Sequence, residues 1–131
     1  MKKFFQNEDI LLERISKIRK SNKIIGFTNG CFDLLHKGHL LLISESKKKC
    51  DFLIIGLNSD TSIKDIKGKD RPYEKEIKRI ENLELNSNVD AIILFNDKTP
   101  LNLIKKISPN ILIKGADYID KTVIGSEYIT K

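Results

Sequence analysis

Tryptophan is absent from this sequence, which also has only one methionine and two cysteines, Cys31 and Cys50. Two thiols outside a secretory context do not form a disulfide framework, which needs paired cysteines in an oxidising compartment. The spacing from Cys31 to the two histidines of the chain, His36 and His39, matches no zinc pattern. We therefore expect neither a disulfide-stapled domain nor a metal ion held by the protein.

Long apolar runs are also missing, because no stretch approaches the ~20 apolar residues that a membrane span needs. The first residues turn polar and acidic too early for a signal peptide, so we expect a cytoplasmic location and no membrane partner. The 131 residues, of which 40% are hydrophobic and 32% charged, fit one soluble globular domain. The net charge is +6, but the aromatic residues (7%) are not interleaved with the basic ones. This pattern favours a small anionic substrate over a nucleic acid.

Four apolar runs are continuous rather than alternating, which predicts strands buried on both faces of a parallel sheet. They lie at 24–27, 52–57, 91–95 and 111–113. Stretches with helical periodicity cover 8–20, 38–49, 73–85 and 100–107, and 59–71 is predicted to be one long polar loop. The alternation predicts an α/β fold, a Rossmann-like doubly wound parallel sheet with helices on both faces. We expect a single domain over 1–131, with an N-terminal helix in 1–22 and an α/β core in 23–131.

Polar residues follow three of the predicted strands at matching places. The three clusters lie at 28–39, 58–60 and 114–118. An open α/β sheet binds its ligand in the crevice at the carboxyl ends of its strands. The sequence therefore predicts that these clusters share one site.

The first cluster has the character of a phosphate site. A strand ends, a turn with a glycine follows, and a helix begins near Gly38. The N–H groups and the dipole of a helix N-terminus bind phosphate, and Gly38 lets the phosphate approach the backbone. His36 and His39 lie three residues apart and can both point into that site. A lone histidine here would be a simple cap, but both imidazoles of the chain fall in one His-x-Gly-His, which favours a functional role.

The other two clusters supply further candidate ligands. Four cations fall on the predicted long loop: Lys64, Lys67, Lys69 and Arg71. Such a loop is either a lid that closes over polyphosphate or an ordinary solvated segment. Lys114 can reach an anion, and Asp117 can accept a hydrogen bond from a ribose hydroxyl or an amino group.

Other motifs for phosphate binding or nucleophilic catalysis are absent. The sequence has no Gly-x-x-x-x-Gly-Lys-Ser/Thr, no Gly-x-Gly-x-x-Gly and no Gly-x-Ser-x-Gly. A Cys31–His36 nucleophile pair is the alternative to Cys31 packing as a small buried residue. The sequence favours the second interpretation.

The segment Thr28-Asn29-Gly30-Cys31-Phe32-Asp33-Leu34-Leu35-His36-Lys37-Gly38-His39 resembles the motif of the cytidylyltransferase-like nucleotidyltransferases. Later motifs, in order, are similar to those of the ADP-heptose synthase adenylyltransferase domain. They are Asn58-Ser59-Asp60, Lys67-Gly68, Arg71-Pro72, Val89-Asp90, Thr99-Pro100 and Lys114-Gly115-Ala116-Asp117-Tyr118. The resemblance covers about residues 10–130.

This resemblance implies transfer of AMP from ATP, accompanied by Mg²⁺, to a sugar 1-phosphate such as heptose 1-phosphate, with release of pyrophosphate. It implies that the catalytic residues are His36, His39 and Lys67. The implied nucleotide-binding residues are Thr28, Asn29, Gly30, Cys31, Phe32, Gly38, Lys114 and Asp117. The implied contacts to substrate phosphate are Lys64, Arg71 and Arg79. Small domains of this kind often pair, so a homodimer is also expected.

The sequence departs from the family pattern near its end. The family usually has Gly-Gly-Asp where this chain has Gly115-Ala116-Asp117. It also continues with a strand and a Ser/Thr-rich helix start that grips the triphosphate, and we expect that strand and helix to be missing here. The alternatives are a shortened active enzyme, a partner subunit that supplies the segment, or a nucleotide-binding module with impaired catalysis. A cytidylyltransferase that uses CTP and a polyol phosphate, such as glycerol 3-phosphate, also remains open.

Overall fold

The computed structural model describes residues 2–114. Ten elements follow one another in this range: β1 (Phe4–Phe5), α1 (Glu8–Lys20), β2 (Ile25–Gly30), α2 (Lys37–Lys47), β3 (Phe52–Asn58), α3 (Asp60–Lys67), α4 (Glu76–Glu84), β4 (Ala91–Phe95), α5 (Leu101–Ile107) and β5 (Ile111–Leu112). The expectations for Asp117 and for the end of the chain lie outside the described residues.

The five strands form one parallel sheet in the order β1-β4-β3-β2-β5. The predicted Rossmann-like α/β fold is confirmed. Because β2 lies between β3 and β5, the three polar clusters follow three adjacent strands. The chain reverses its direction across the sheet at β2, and this is where open α/β sheets form their ligand crevice.

Helices cover both faces of the sheet, as the continuous apolar runs predict. On one face, Leu11 and Ile15 of α1 and Ile104 of α5 pack against Phe27 and its neighbours. The other face is covered by α2 and α4, through a core cluster that includes Ile43, Ile80, Leu83 and Ile55. Both faces of the central strands are buried, so polar side chains are confined to the strand ends.

The N-terminal segment is part of this core. Phe4 and Phe5 of β1 pair with Ile92 and Ile93 of β4, which makes β1 an edge strand that the sequence analysis did not predict. The segment 1–22 therefore contributes a strand of the sheet as well as the N-terminal helix.

The prediction of one long polar loop over 59–71 is wrong, because α3 occupies most of this segment. The Ser59 hydroxyl accepts a hydrogen bond from the Ser62 N–H at 3.1 Å and caps the helix. Ile63 is completely buried and anchors it. Lys64 and Lys67 thus project from a packed helix rather than from a mobile lid.

Close packing inside the sheet restricts one position to glycine. A Cβ atom added at Gly56 would lie 2.5 Å from Cζ of the completely buried Phe27.

No helix between residues 2 and 114 has the length and apolar character that crossing a bilayer requires.

Candidate active site

The loop from Cys31 to Leu35 connects β2 to α2 and has a strained backbone. Phe32 and Leu34 have φ angles of 47° and 55°, in the left-handed region that non-glycine residues rarely adopt. Such conformations persist only where the surroundings enforce them, and they occur often at functional sites. The contacts that hold this loop therefore bear directly on the site.

Hydrogen bonds and ring stacking hold the two histidines in place at the start of α2. The His36 Nδ1 accepts the Gly38 N–H at 3.0 Å, and the His39 Nδ1 accepts the His36 N–H at 3.2 Å. An imidazole that accepts through Nδ1 carries its proton on Nε2, so this network assigns the Nε2–H form to both rings. The rings stack with centroids 3.8 Å apart. Two imidazoles with the same tautomer thus flank one helix N-terminus.

Phe32 and the neighbouring glycines shape this arrangement. The Phe32 ring is buried and lies 5.3 Å from the His39 ring, measured between centroids. A Cβ atom added at Gly30 would lie 3.1 Å from the Phe32 ring, and one added at Gly38 would lie 2.9 Å from the His36 ring. The glycines therefore leave room for the rings, and the Phe32 ring packs next to His39.

Asp33 ties the strained loop to the segment that follows α3. Its carboxylate accepts the backbone N–H groups of Tyr73 and Glu74, each at 2.8 Å, and the Arg71 guanidinium at 3.3 Å. The Glu74 carboxylate returns the connection by accepting the Leu34 N–H at 3.0 Å. Burial acts to raise the pKa of Asp33, but these hydrogen bonds together hold it below its ordinary value. We call the mutual contacts of Asp33 and Glu74 the carboxylate clasp.

The cations expected at the phosphates lie in different environments. Lys67 is exposed at the end of α3, and its positive charge acts to lower the pKa of the Cys31 thiol. Lys64 is also exposed but donates to the Arg71 carbonyl at 3.0 Å. Arg71 is paired with Asp33 and lies over the Tyr73 ring at 4.4 Å. The structure thus engages Lys64 and Arg71 in contacts within the protein and leaves Lys67 exposed at the end of α3.

The expectation that Arg79 contacts phosphate disagrees with the structure. Its side chain is 0% exposed, and its guanidinium donates to the carbonyls of Cys31, Asn58 and Glu74 and to the Asp60 carboxylate. The phosphate contact of Arg79 was expected from the resemblance to the family. Its burial depends on how the ends of β2, β3 and α4 converge.

The remaining residues of the first cluster lie at or just after the end of β2. Thr28, Asn29 and Gly30 are its last three residues. The Thr28 hydroxyl is buried and has no hydrogen-bond partner among the described residues. Lys114 is exposed just beyond β5, and Ile113 next to it donates its N–H to the Phe27 carbonyl. The first cluster and the described part of the third are therefore neighbours, as predicted.

Cys31 lacks the character of a nucleophile. Burial raises the pKa of its thiol, with a further contribution from Asp33, against the opposing charges of Lys67, Arg79 and Arg71. The thiolate is the reactive form of cysteine, so a raised pKa disfavours the Cys31–His36 alternative.

The carboxylates near the site already have partners within the protein. In the stretch 2–114, no three His, Cys, Asp or Glu side chains come together in a way that could hold a metal ion. Asp33 and Glu74 are engaged in the carboxylate clasp, and Asp60 is engaged by Arg79 and by the Glu76 N–H at 2.9 Å.

Comparison with known proteins assigns the class. The Cytidylyltransferase-like family model matches residues 27–130, and the chain belongs to this family of nucleotidyltransferases. The family assignment agrees with the resemblance noted from the His-x-Gly-His segment.

The relatives narrow the assignment. The chain is 45% identical over 125 residues to "Bifunctional protein HldE" of Campylobacter fetus, covering 95% of this chain and 27% of that protein. It is 52% identical over 105 residues to the protein of the same name in Caulobacter vibrioides, covering 80% and 22%. The chain thus spans about a quarter of the length of these curated relatives.

Solved structures agree on the fold. A lipopolysaccharide core biosynthesis protein from Thermoplasma volcanium matches with a TM-score of 0.62 and 29% identity, covering 69% of this chain and 72% of that chain. A pantoate-beta-alanine ligase from Francisella tularensis matches with a TM-score of 0.53 over 86% of this chain and 56% of that one. Because the sequence identity is only 17%, this match supports the shared fold and no functional conclusion.

The residues that hold the loop of the site in place were not predicted from the sequence. Asp33 and Asn58 were part of recognised motifs but had no assigned role, and Glu74 was not singled out. The available signal for α3 was Ser59, a favourable N-cap residue, followed by Ile63 and Ile66 at helical spacing.

Proposed function

We propose that this protein is an adenylyltransferase that transfers AMP from ATP to a sugar 1-phosphate, which gives an ADP-sugar and pyrophosphate. The observation that carries the proposal is the stacked pair of imidazoles at the start of α2, each of which accepts a backbone N–H at Nδ1 and so has Nε2 as its donor. Two N–H donors beside a helix N-terminus suit the negative charge that develops on an α-phosphoryl group.

The proposed reaction needs no general base. A sugar phosphate is largely ionised near neutral pH, since its second phosphate pKa is about 6. Its oxygen attacks the α-phosphorus of ATP, the bond from this phosphorus to the bridging oxygen breaks, and pyrophosphate leaves. The protein therefore has to position two anions and stabilise the charge of the transition state.

We assign these roles to residues that the geometry makes suitable. His36 and His39 contact the α-phosphoryl group, and Lys67 approaches the phosphates from α3. Arg71 and Lys64 contact phosphate only if they leave their partners, Asp33 and the Arg71 carbonyl. The carboxylates of Asp33 and Asp60 are engaged, so Mg²⁺ would enter on the triphosphate and supply further neutralisation of charge there.

Heptose 1-phosphate is the acceptor that we propose. Support comes from the motifs shared with the ADP-heptose synthase domain, from relatives named HldE at 45% and 52% identity, and from the lipopolysaccharide core biosynthesis protein among the matching structures. A reaction that uses ATP and a soluble sugar phosphate fits the cytoplasm. The homodimer suggested by the size of the domain stays a prediction.

The test measures pyrophosphate release from ATP and heptose 1-phosphate with Mg²⁺, beside a parallel reaction of CTP with glycerol 3-phosphate. A strong preference for the first pair is expected, and a preference for CTP would replace the proposal with a cytidylyltransferase. ATP binding by calorimetry without turnover on either pair would contradict an enzymatic role.

A matched variant links any turnover to the imidazoles. In His36→Asn the side-chain oxygen can still cap α2, since asparagine is among the best N-cap residues, while the Nε2–H donor is lost. We expect the melting temperature to stay close to that of the unchanged protein and kcat to fall about 10²-fold. Unchanged kcat would remove the role assigned to His36.

A further inference from the structure

Arg79 joins four segments of the site from a fully buried position. Its Nη1 donates to the Cys31 carbonyl at 3.0 Å and to the Asn58 carbonyl at 2.6 Å. Its Nε donates to the Glu74 carbonyl at 2.9 Å, and its Nη2 donates to the Asp60 carboxylate at 2.7 Å. The acceptors belong to the loop after β2, the end of β3, the approach to α4 and the start of α3. One planar group thus fixes how these segments meet.

The Cys31 carbonyl is where this network enters the strained loop. Left-handed conformations such as those of Phe32 and Leu34 are unfavourable for residues other than glycine and need support from their surroundings. The carboxylate clasp holds the middle of the loop, and Arg79 holds its first residue. The loop leads directly into His36, so its geometry sets where both imidazoles lie.

The neighbouring helices restrict Arg79 to this pose. Asp60 and Glu76 each accept the other's backbone N–H, at 2.8 and 2.9 Å, which fixes the starts of α3 and α4 against each other. Arg79 lies one turn into α4 and donates to the same Asp60 oxygen. With a side chain that is 0% exposed, it has no surface for a phosphate to contact.

We propose that Arg79 is a positioning residue, which acts through the Cys31 carbonyl on the loop that carries His36 and His39. It is the planar guanidinium, more than its positive charge, that adenylyl transfer requires. A lysine keeps the charge but cannot donate in these directions from one rigid plane. The kinetic part of this inference rests on the proposed function, whereas its structural part does not.

The experiment compares Arg79→Lys with Arg19→Lys. Arg19 is a matched control because it also donates to two backbone carbonyls, those of Ile107 and Ser108 at 2.5 and 2.6 Å, on the opposite face of the sheet. Both variants are expected to lower the melting temperature. Only Arg79→Lys should lower kcat, by about 10- to 100-fold, with the KM for ATP changed less than about threefold.

Proton NMR of the imidazoles gives a readout without turnover. The chain has two histidines, so two Hε1 signals report on the site. Arg79→Lys should shift both signals and Arg19→Lys neither. Should Arg79→Lys fail to fold, Asp60→Ala removes one acceptor of the fork at a partly exposed position, and we expect the same shifts at smaller size.

The outcomes separate this inference from the proposed function. Unshifted histidine signals in the folded Arg79 or Asp60 variant would overturn the positioning role, whether or not the protein has activity. A raised KM with unchanged kcat in Arg79→Lys, or equal losses of kcat in both lysine variants, would also overturn it. Shifted signals in a protein without turnover would support positioning and count against the reaction alone.

Discussion

Replacing Asp33 by asparagine tests whether the carboxylate clasp holds the strained loop. Two backbone N–H groups point at separate oxygens of Asp33, Tyr73 at Oδ2 and Glu74 at Oδ1. Asparagine offers one oxygen, and its NH₂ group then faces a backbone donor. One partly buried N–H therefore loses its acceptor, and Arg71 loses its charged partner.

The magnitude follows from these two losses. A buried donor left without an acceptor costs about 1–3 kcal/mol, and the partly exposed pair with Arg71 contributes up to about 1 kcal/mol. We expect Asp33→Asn to lower the free energy of unfolding by about 1–4 kcal/mol at pH 7. This is a large share of the 5–15 kcal/mol that is typical of whole domains.

The lowered pKa of Asp33 predicts how the stability difference between the two proteins changes with pH. The pKa of Asp33 is held below its ordinary value in the folded protein, so its contribution is present above the unfolded pKa of about 3.9 and is lost as pH falls through the folded pKa. The difference between the two proteins should be constant from about pH 7 to pH 5 and narrow in more acidic solution.

Urea unfolding followed by circular dichroism at several pH values measures this difference. Asp65→Asn on the exposed surface of α3 is the control, with an expected change within about 0.5 kcal/mol. A difference for Asp33→Asn below about 0.5 kcal/mol at pH 7, or one that widens as pH falls, would refute the reasoning.

Three further changes test other features. Gly56→Ala places a Cβ 2.5 Å from Phe27 Cζ, so we expect a loss of about 1–3 kcal/mol or more in thermal unfolding, and unchanged stability would contradict the packing. His39→Ala should lower the rate of pyrophosphate release about 10²-fold or more, and an unchanged rate would remove its assigned role. Lys67→Ala should raise the KM for ATP and weaken its salt dependence, since an exposed charge is screened by salt, whereas an effect on stability alone would argue against a phosphate contact.

The strands of the sheet core were predictable because a parallel strand between two helical layers must be apolar at every position, and the run 91–95 coincides with β4. β1 was not predictable, since two phenylalanines become a strand only by pairing with β4. α3 was missed because it is only eight residues long and has two apolar residues, Ile63 and Ile66, among polar ones, so the segment resembled a polar loop.

The position of the site was predictable for a related reason. Polar residues at the ends of strands in a buried sheet must meet at one edge, and the His-x-Gly-His segment marks that edge. The role of Arg79 was hidden because sequence shows its charge but not its burial. Asp33 was hidden likewise, since its partners Tyr73 and Glu74 meet it only after α3 has packed.

The position of β5 has a consequence for synthesis on the ribosome. Gly26 of β2 pairs with Ile111 of β5, so one wall of the crevice comes from the last described strand and its neighbour from the second. A nascent chain that has already joined β2 to β3 still presents the other edge of β2 unpaired. Open strand edges recruit foreign strands, so this interval exposes the chain to aggregation until β5 has emerged and closed that edge.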